Sequence, residues 1–289
     1  MNVLITGAAG QLGSALLDTA PDNVKAMGLV HNDFDITDPA CVNAVLEEHE
    51  PSVVVNTAAF TAVDKAENEE GLAMQVNAIG PAYLAESCLK LSIRLVQIST
   101  DYIFDGVVNH PYPIDALSNP RNVYGRSKLE GEKAVREKLG SAATVIRTGW
   151  LYAVNGNNFV NTMLQSMQQG NPLRVVYDQI GAPTWAKSLA EMCWVVVERT
   201  DAVGVWHWSD AGTASWYDFA VAIQEEALRS KLLVEEIPIE PVRTSDYPVP
   251  ALRPSYSVLD CSHAERVLNI KRVHWRHNLR SMFEEKVRA

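Results

Sequence analysis

Four residues in the middle of the chain have types and spacings suited to proton and hydride chemistry at a carbonyl. Ser99 and Thr100 stand side by side in "STDYIFDG", directly after an apolar run, residues 93–98, that reads as a buried strand. Tyr124 and Lys128 follow in "YGRSK", four residues apart. On a helix that spacing puts the phenol and the ammonium one turn apart on one face. A tyrosine ionises near pH 10 and is a poor acid–base catalyst at neutrality. A neighbouring ammonium stabilises the phenolate, so the spacing predicts a phenol drawn toward the working range. The same lysine can hold a ribose, and a hydroxyl at the strand end can hydrogen-bond the oxygen being reduced. Neighbouring strand residues point to opposite faces, so only one of Ser99 and Thr100 reaches a substrate.

Such groups need a scaffold that also holds a hydride carrier. "TGAAGQLG", residues 6–13, follows the first apolar run and opens a helical stretch. Gly7 permits the tight turn, Gly10 lets backbone approach a pyrophosphate, and Gly13 allows close helix–strand packing. Gln11 and Leu12 begin the helix, whose free N–H groups and positive dipole end face the phosphates. The spacing is GxxGxxG rather than GxGxxG, but its place between strand and helix points to a dinucleotide. In "VHNDFDITD", Asp33 or Asp35 could meet a ribose, and Asp35 and Ile36 are placed to contact adenine. No arginine stands there for a 2′-phosphate, so NADPH and NADH both remain open.

Apolar runs at 2–6, 24–30, 52–58, 93–99 and 143–148 alternate with helical stretches at 11–19, 39–49, 68–91 and 123–139. Near-continuous apolar strands suit a parallel sheet covered on both faces. The expected fold is a Rossmann-like α/β doubly wound sheet with right-handed crossovers. Residues 1–150 would form the NAD(P)-binding domain. Residues 151–289 would mainly form a smaller α/β substrate-binding lobe, sharing segments with the first. In that half we expect helices at 157–169, 185–199, 215–229 and 275–288, and strands at 173–177, 204–208 and 233–239. The proline-rich stretch 238–254 reads as an ordered loop near the site. Trp216, after the helix start at Ser215, reads as packed inside.

The whole chain sets outer bounds. At 289 residues it can bury a sizeable core. A net charge of −10 argues against a nucleic-acid partner. Cys41, Cys88, Cys193 and Cys261 lie far apart without metal-ligand spacing, as reduced thiols of a cytoplasmic protein would. No run approaches the ~20 apolar residues of a membrane span.

Eight blocks in order carry a resemblance over nearly the whole chain: "ITGAAGQLG", "VVNTAAFTAVDKAE", "ISTDYIFDG", "NVYGRSKLEGE", "IRTGWLY", "GNNFVNTML", "DQIGAPT" and "RPSYSVLD". They resemble the extended short-chain dehydrogenase/reductase family and, more narrowly, the dTDP-4-dehydrorhamnose reductases within it. The resemblance implies NAD(P)H-dependent reduction of the C4 keto group of dTDP-4-dehydro-L-rhamnose, a step of polysaccharide-precursor synthesis. It assigns the strand-end hydroxyl to Thr100, the proton donor to Tyr124, and ribose binding and phenol tuning to Lys128. It puts Ala59, Phe60 and Thr61 beside the cofactor, and Asp101, Tyr102 and Trp150 beside the sugar nucleotide. Arg253 is the candidate cation for the diphosphate. Asn158 either caps a helix or touches the substrate.

The resemblance also has gaps. Some family members dimerise through a magnesium site, but the matching positions here are Ala15 and Lys187, which supply no oxygen ligands. We therefore expect no structural metal, and a monomer or metal-free homodimer. Another nucleotide-sugar 4-ketoreductase fits the same residues. A non-catalytic regulatory subunit, similar to that of methionine adenosyltransferase, would use the same fold to bind a protein partner.

Overall fold

The structure, a computed structural model, describes residues 1–288. Its centre is a six-stranded parallel sheet. The first five strands are β1 (Asn2–Thr6), β2 (Lys25–Leu29), β3 (Val53–Asn56), β4 (Arg94–Thr100) and β5 (Thr144–Thr148). The spatial order is β2-β1-β3-β4-β5, followed by a sixth strand, Gly204–His207. That strand comes from the second half of the chain and pairs with β5, so the sheet is built from both halves.

Alternation explains why both faces are covered. Val3 and Ile5 pack in one core with Leu12 and Leu16 of helix α1 (Gln11–Asp18) and with Leu189, Cys193 and Val196 of the helix Ala186–Glu198. Leu4, Val54 and Leu95 point the other way, against Val42 and Leu46 of α2 (Pro39–His49) and Leu84 of the helix Gly80–Lys90. Each such side chain, fully buried, contributes about 1.5–3 kcal/mol. α2 starts where Asp38 caps Ala40 N at 2.9 Å with Pro39 in the first turn. Near the carboxyl edge, a buried ladder crosses three strands: Thr6 donates to Asn56 (2.6 Å), and Asn56 donates to Gln97 (2.8 Å).

A second core joins Tyr152, Val160, Phe219, Ile223, Leu279 and Phe283, filling the lobe beside the carboxyl edge of the sheet. Three details differ from the sequence reading. The helical stretch at 68–91 is interrupted by a π-turn, Gln75–Ile79, between Glu70–Met74 and Gly80–Lys90. The strand expected at 233–239 lies instead at Ile239–Val242, paired with Leu173–Val176. Leu233 and Ile237 are the buried residues of the preceding segment, but Glu235, which a strand would put on the same face, is exposed, so the segment does not follow strand alternation. A short helix, Ser262–Leu268, packs beside the sixth strand where none was expected.

Candidate active site

All strands of a parallel sheet end on one edge, and here that edge opens into a cavity of about 860 Å³. This lies within the usual size of ligand sites, and its position is where doubly wound folds bind ligands. At one end Gly7, Gly10, Gln11 and Leu12 line it. Gly7 has φ +63°, and a Cβ there would stand 2.8 Å from the backbone of Ala58, so the turn requires glycine. Gly10 caps α1 with no side-chain hydrogen bond, which presents the backbone N–H groups of the helix start to the cavity. Gly13 lies outside the lining; a Cβ there would fall 2.5 Å from Gly7 O, so it packs α1 onto the turn.

Asp35 and Ile36 line the neighbouring wall with Thr37. The Thr37 hydroxyl and N–H hold the Asp35 carboxyl below its usual range, the hydroxyl at 2.7 Å. Ala59, Phe60 and Thr61 continue the wall from the end of β3. Phe60 is clamped by Asn77 of the π-turn. Its N–H donates to Asn77 Oδ1 at 2.8 Å, and Asn77 Nδ2 returns a bond to Phe60 O at 2.9 Å. A second Nδ2 contact, 2.9 Å, reaches Ser127 Oγ on the helix bearing Tyr124 and Lys128. Asn77 was missed in the sequence; its one signal was an amide in the interior of an expected helix.

The strand-end hydroxyls separate as alternation requires. Ser99 donates to Glu132 at 2.5 Å, and Glu132 is held by Arg147 at 2.7 Å, both charges being almost wholly buried. Thr100 ends β4 and turns to the other side, accepting from Tyr102 N (3.2 Å) and donating to Asp101 Oδ1 (3.1 Å). Its hydroxyl also lies beside the Tyr124 phenol, where it favours the phenolate.

Tyr124 and Lys128 sit on the helix Val123–Leu139. Its start is fixed twice: Asn122 Oδ1 accepts from Gly125 N at 2.8 Å, and Glu67 Oε1 accepts from Val123 N at 2.8 Å. Asn122 also donates to Leu252 O at 2.8 Å, tying the proline-rich loop to this helix start. Desolvation pushes the Tyr124 phenol up to about 12, opposed by the neighbouring Thr100 hydroxyl. This differs from the expected lowering. Lys128 Nζ donates to Ile98 O at 2.7 Å, and burial pulls its ammonium down to about 8 against the pull of Glu132. Burial, joined by the neighbouring Asp101 charge, therefore dominates at the phenol. In this geometry Tyr124 is a held proton, and one of three ammonium hydrogens on Lys128 is committed.

Asp101, Tyr102, Trp150 and Asn158 also line the cavity, with Tyr102 edge-on to Tyr124 at 5.9 Å between centroids. Burial raises the Asp101 carboxyl to about 6. Asn158 caps the helix Phe159–Gln168 by accepting from Asn161 N (3.0 Å) and donates to Gln11 Oε1 (2.9 Å), joining the second lobe to the glycine turn. Arg253 is not in the lining. Both its terminal nitrogens bond Asp64, at 3.0 and 2.7 Å, which pins the loop beside Tyr102. Among the lining residues that the sequence reading did not assign to the site, two stand out. Trp216, expected inside, is half-buried on the wall. Thr148, at the end of β5, has a buried Oγ1 with no partner among the described residues.

The chain matches the RmlD substrate binding domain family over residues 1–288. It is 37% identical over 288 residues to a dTDP-4-dehydrorhamnose reductase of Aggregatibacter actinomycetemcomitans, covering 97% of each chain. It is 41% identical over 258 residues to a dTDP-4-keto-6-deoxy-D-glucose reductase of Streptomyces niveus, covering 89% of this chain and 87% of the relative. The structure of a Bacillus anthracis dTDP-4-dehydrorhamnose reductase in complex with NADP superposes with a TM-score of 0.91. It is 34% identical, over 98% of this chain and 99% of that one. With a full-length family match, near-complete overlap with these relatives and a shared parallel α/β fold, this chain belongs to the RmlD substrate binding domain family of short-chain dehydrogenase/reductase proteins.

Proposed function

We propose that this chain reduces the C4 keto group of dTDP-4-dehydro-L-rhamnose to dTDP-L-rhamnose, using NADPH or NADH. The observation carrying the proposal is that Thr100, Tyr124 and Lys128 line the same cavity as the glycine turn. The residues present suit a dinucleotide: Gly7 keeps backbone clear at the turn, α1 begins at Gly10, and Asp35 stands at the adenosine end. Reduced nicotinamide, when bound, supplies the hydride. Thr100 shares its one hydroxyl proton with Asp101, and a rotation about χ1 would hand it to the keto oxygen. Tyr124 holds its proton firmly through neutral pH and gives it to the oxygen as charge develops there. Lys128 offers its remaining ammonium hydrogens to a ribose.

Residues 1–150 supply the cofactor side of this reading and residues 151–289 most of the sugar side. Arg253 serves the diphosphate by exchanging its Asp64 partner for phosphate oxygens. Among the described residues no helix is long and apolar enough to cross a membrane, and we place the protein in the cytoplasm. Lys187 is paired with Glu285 at 3.2 Å, which puts a cation where a metal-linked dimer would need ligands; we propose a monomer or metal-free homodimer. The test is oxidation of NADPH and NADH with the keto-sugar nucleotide, followed by identification of the product. The Streptomyces niveus relative makes dTDP-4-keto-6-deoxy-D-glucose the second substrate to try.

A further inference from the structure

Trp150 stands at φ +51°, a left-handed conformation that a bulky side chain rarely adopts. Such a residue persists only where its surroundings over-determine it. Two neighbours do so. The indole lies flat on Trp216, with centroids 3.5 Å apart and 4° between planes. Gly181 leaves space at its edge: a Cβ there would come within 2.3 Å of the Trp150 Cε2 and Nε1 atoms. Trp216 in turn opens the helix Trp216–Arg229, whose start is locked by a reciprocal cap. Ser215 N donates to Asp218 at 2.9 Å, and Asp218 N donates to Ser215 Oγ at 3.0 Å. The two supports share one framework, because Gly181 pairs with Ala214 and Ile180 with Ser215 in a short antiparallel ladder.

Filling a core would leave these rings buried. Instead Trp150, Trp216 and Phe159 are all half-buried, and all three line the cavity. Phe159 stands 4.6 Å from Trp216 between centroids and closes the far side of the stack. Aromatic faces in a pocket whose polar groups lie elsewhere give a ligand an apolar seat and fix its tilt.

We infer that Trp216 is a positioning residue: with Gly181 clearing space, it holds Trp150 flat as an aromatic ledge for the less polar face of the sugar nucleotide. The inference rests on the proposed keto-sugar reaction and adds the residues that set substrate orientation. Trp150 would meet the ligand, and Trp216 and Gly181 act through it.

The experiment is steady-state kinetics of the full-length wild type and of Trp216→Leu, Trp216→Phe and Gly181→Ala, with thermal melts alongside. Trp216→Leu and Gly181→Ala should each raise KM for the keto-sugar nucleotide about tenfold while KM for NADPH stays within about twofold. Trp216→Phe, which restores a flat face, should recover most of the loss. Unchanged sugar KM in folded Trp216→Leu and Gly181→Ala would overturn the ledge, as would an equal rise in both KM values. Should the leucine variant fail to fold, Gly181→Ala is judged by the same criteria. A wild type inert toward this sugar would count against the proposed reaction. An active wild type with indifferent variants would count against the ledge alone.

Discussion

Thr100 and Ser99 are adjacent, yet they belong to different parts of the molecule. Ser99 is bonded to the buried Glu132–Arg147 pair, and Thr100 faces Tyr124 and the cavity. Ser99→Ala should therefore cost about 1–3 kcal/mol of stability and spare turnover. Thr100→Val should fold normally and lose roughly a hundredfold in kcat/KM. Denaturant melts and kinetics on the two variants check this, and the reverse pattern would exchange their roles. The pH dependence follows from the same residues. The donating form of Tyr124 is the neutral phenol, whose raised pKa keeps it protonated until the pH climbs toward about 12. Reduction should thus show no falling limb in kcat between about pH 6 and pH 9. The Lys128 charge is lost as pH rises through about 8, so KM for the cofactor should grow above that point. A kcat limb near neutrality would mean that bound ligand resets the phenol. The types and spacing of Thr100, Tyr124 and Lys128 were legible in the sequence. The direction of the Tyr124 shift was not, because burial is contributed by residues far along the chain.

The elements fix these residues by close backbone approaches. The helix Val123–Leu139 reaches the end of β4 only because Gly125 has no side chain: a Cβ there would stand 2.1 Å from Tyr102 O. Gly125→Ala should push the helix start away, costing about 1–3 kcal/mol by overpacking. Turnover should fall with it, since Tyr124 is the preceding residue. A stable, fully active variant would show that the site tolerates a displaced helix. The strands of the sheet and the helices at 39–49 and 123–139 were readable from apolar periodicity and the Asp38–Pro39 start. The π-turn was not readable. Its Asn77 binds Phe60 and Ser127, 17 and 50 residues away, and local pattern carries no trace of such partners. The Trp216 position was misread for a related reason: an indole fills a core or walls a cavity with the same local sequence.

At the scale of the whole molecule, the two halves of the chain share one sheet. The sixth strand pairs with β5, and the helix Ala186–Glu198 packs in the core beneath β1. Residues 1–150 alone would expose that core face and leave β5 as an unpaired edge. They should therefore fail to give a cooperative melt, while the full chain unfolds in one transition that saturating NADPH moves upward. Calorimetry on both would decide it; a truncated fragment with a sharp melt would make the cofactor half autonomous. The two halves also meet at Asn158–Gln11 and Arg253–Asp64, so each braces the other around the cavity. The measurement that tests the account most directly is loss of reduced-nicotinamide absorbance with dTDP-4-dehydro-L-rhamnose, for wild type and Tyr124→Phe together. The account predicts rapid wild-type oxidation yielding dTDP-L-rhamnose, and a variant that still binds NADPH but turns over about 10²–10⁴-fold more slowly. Full turnover by Tyr124→Phe, or no oxidation by a wild type that binds both ligands, would contradict it.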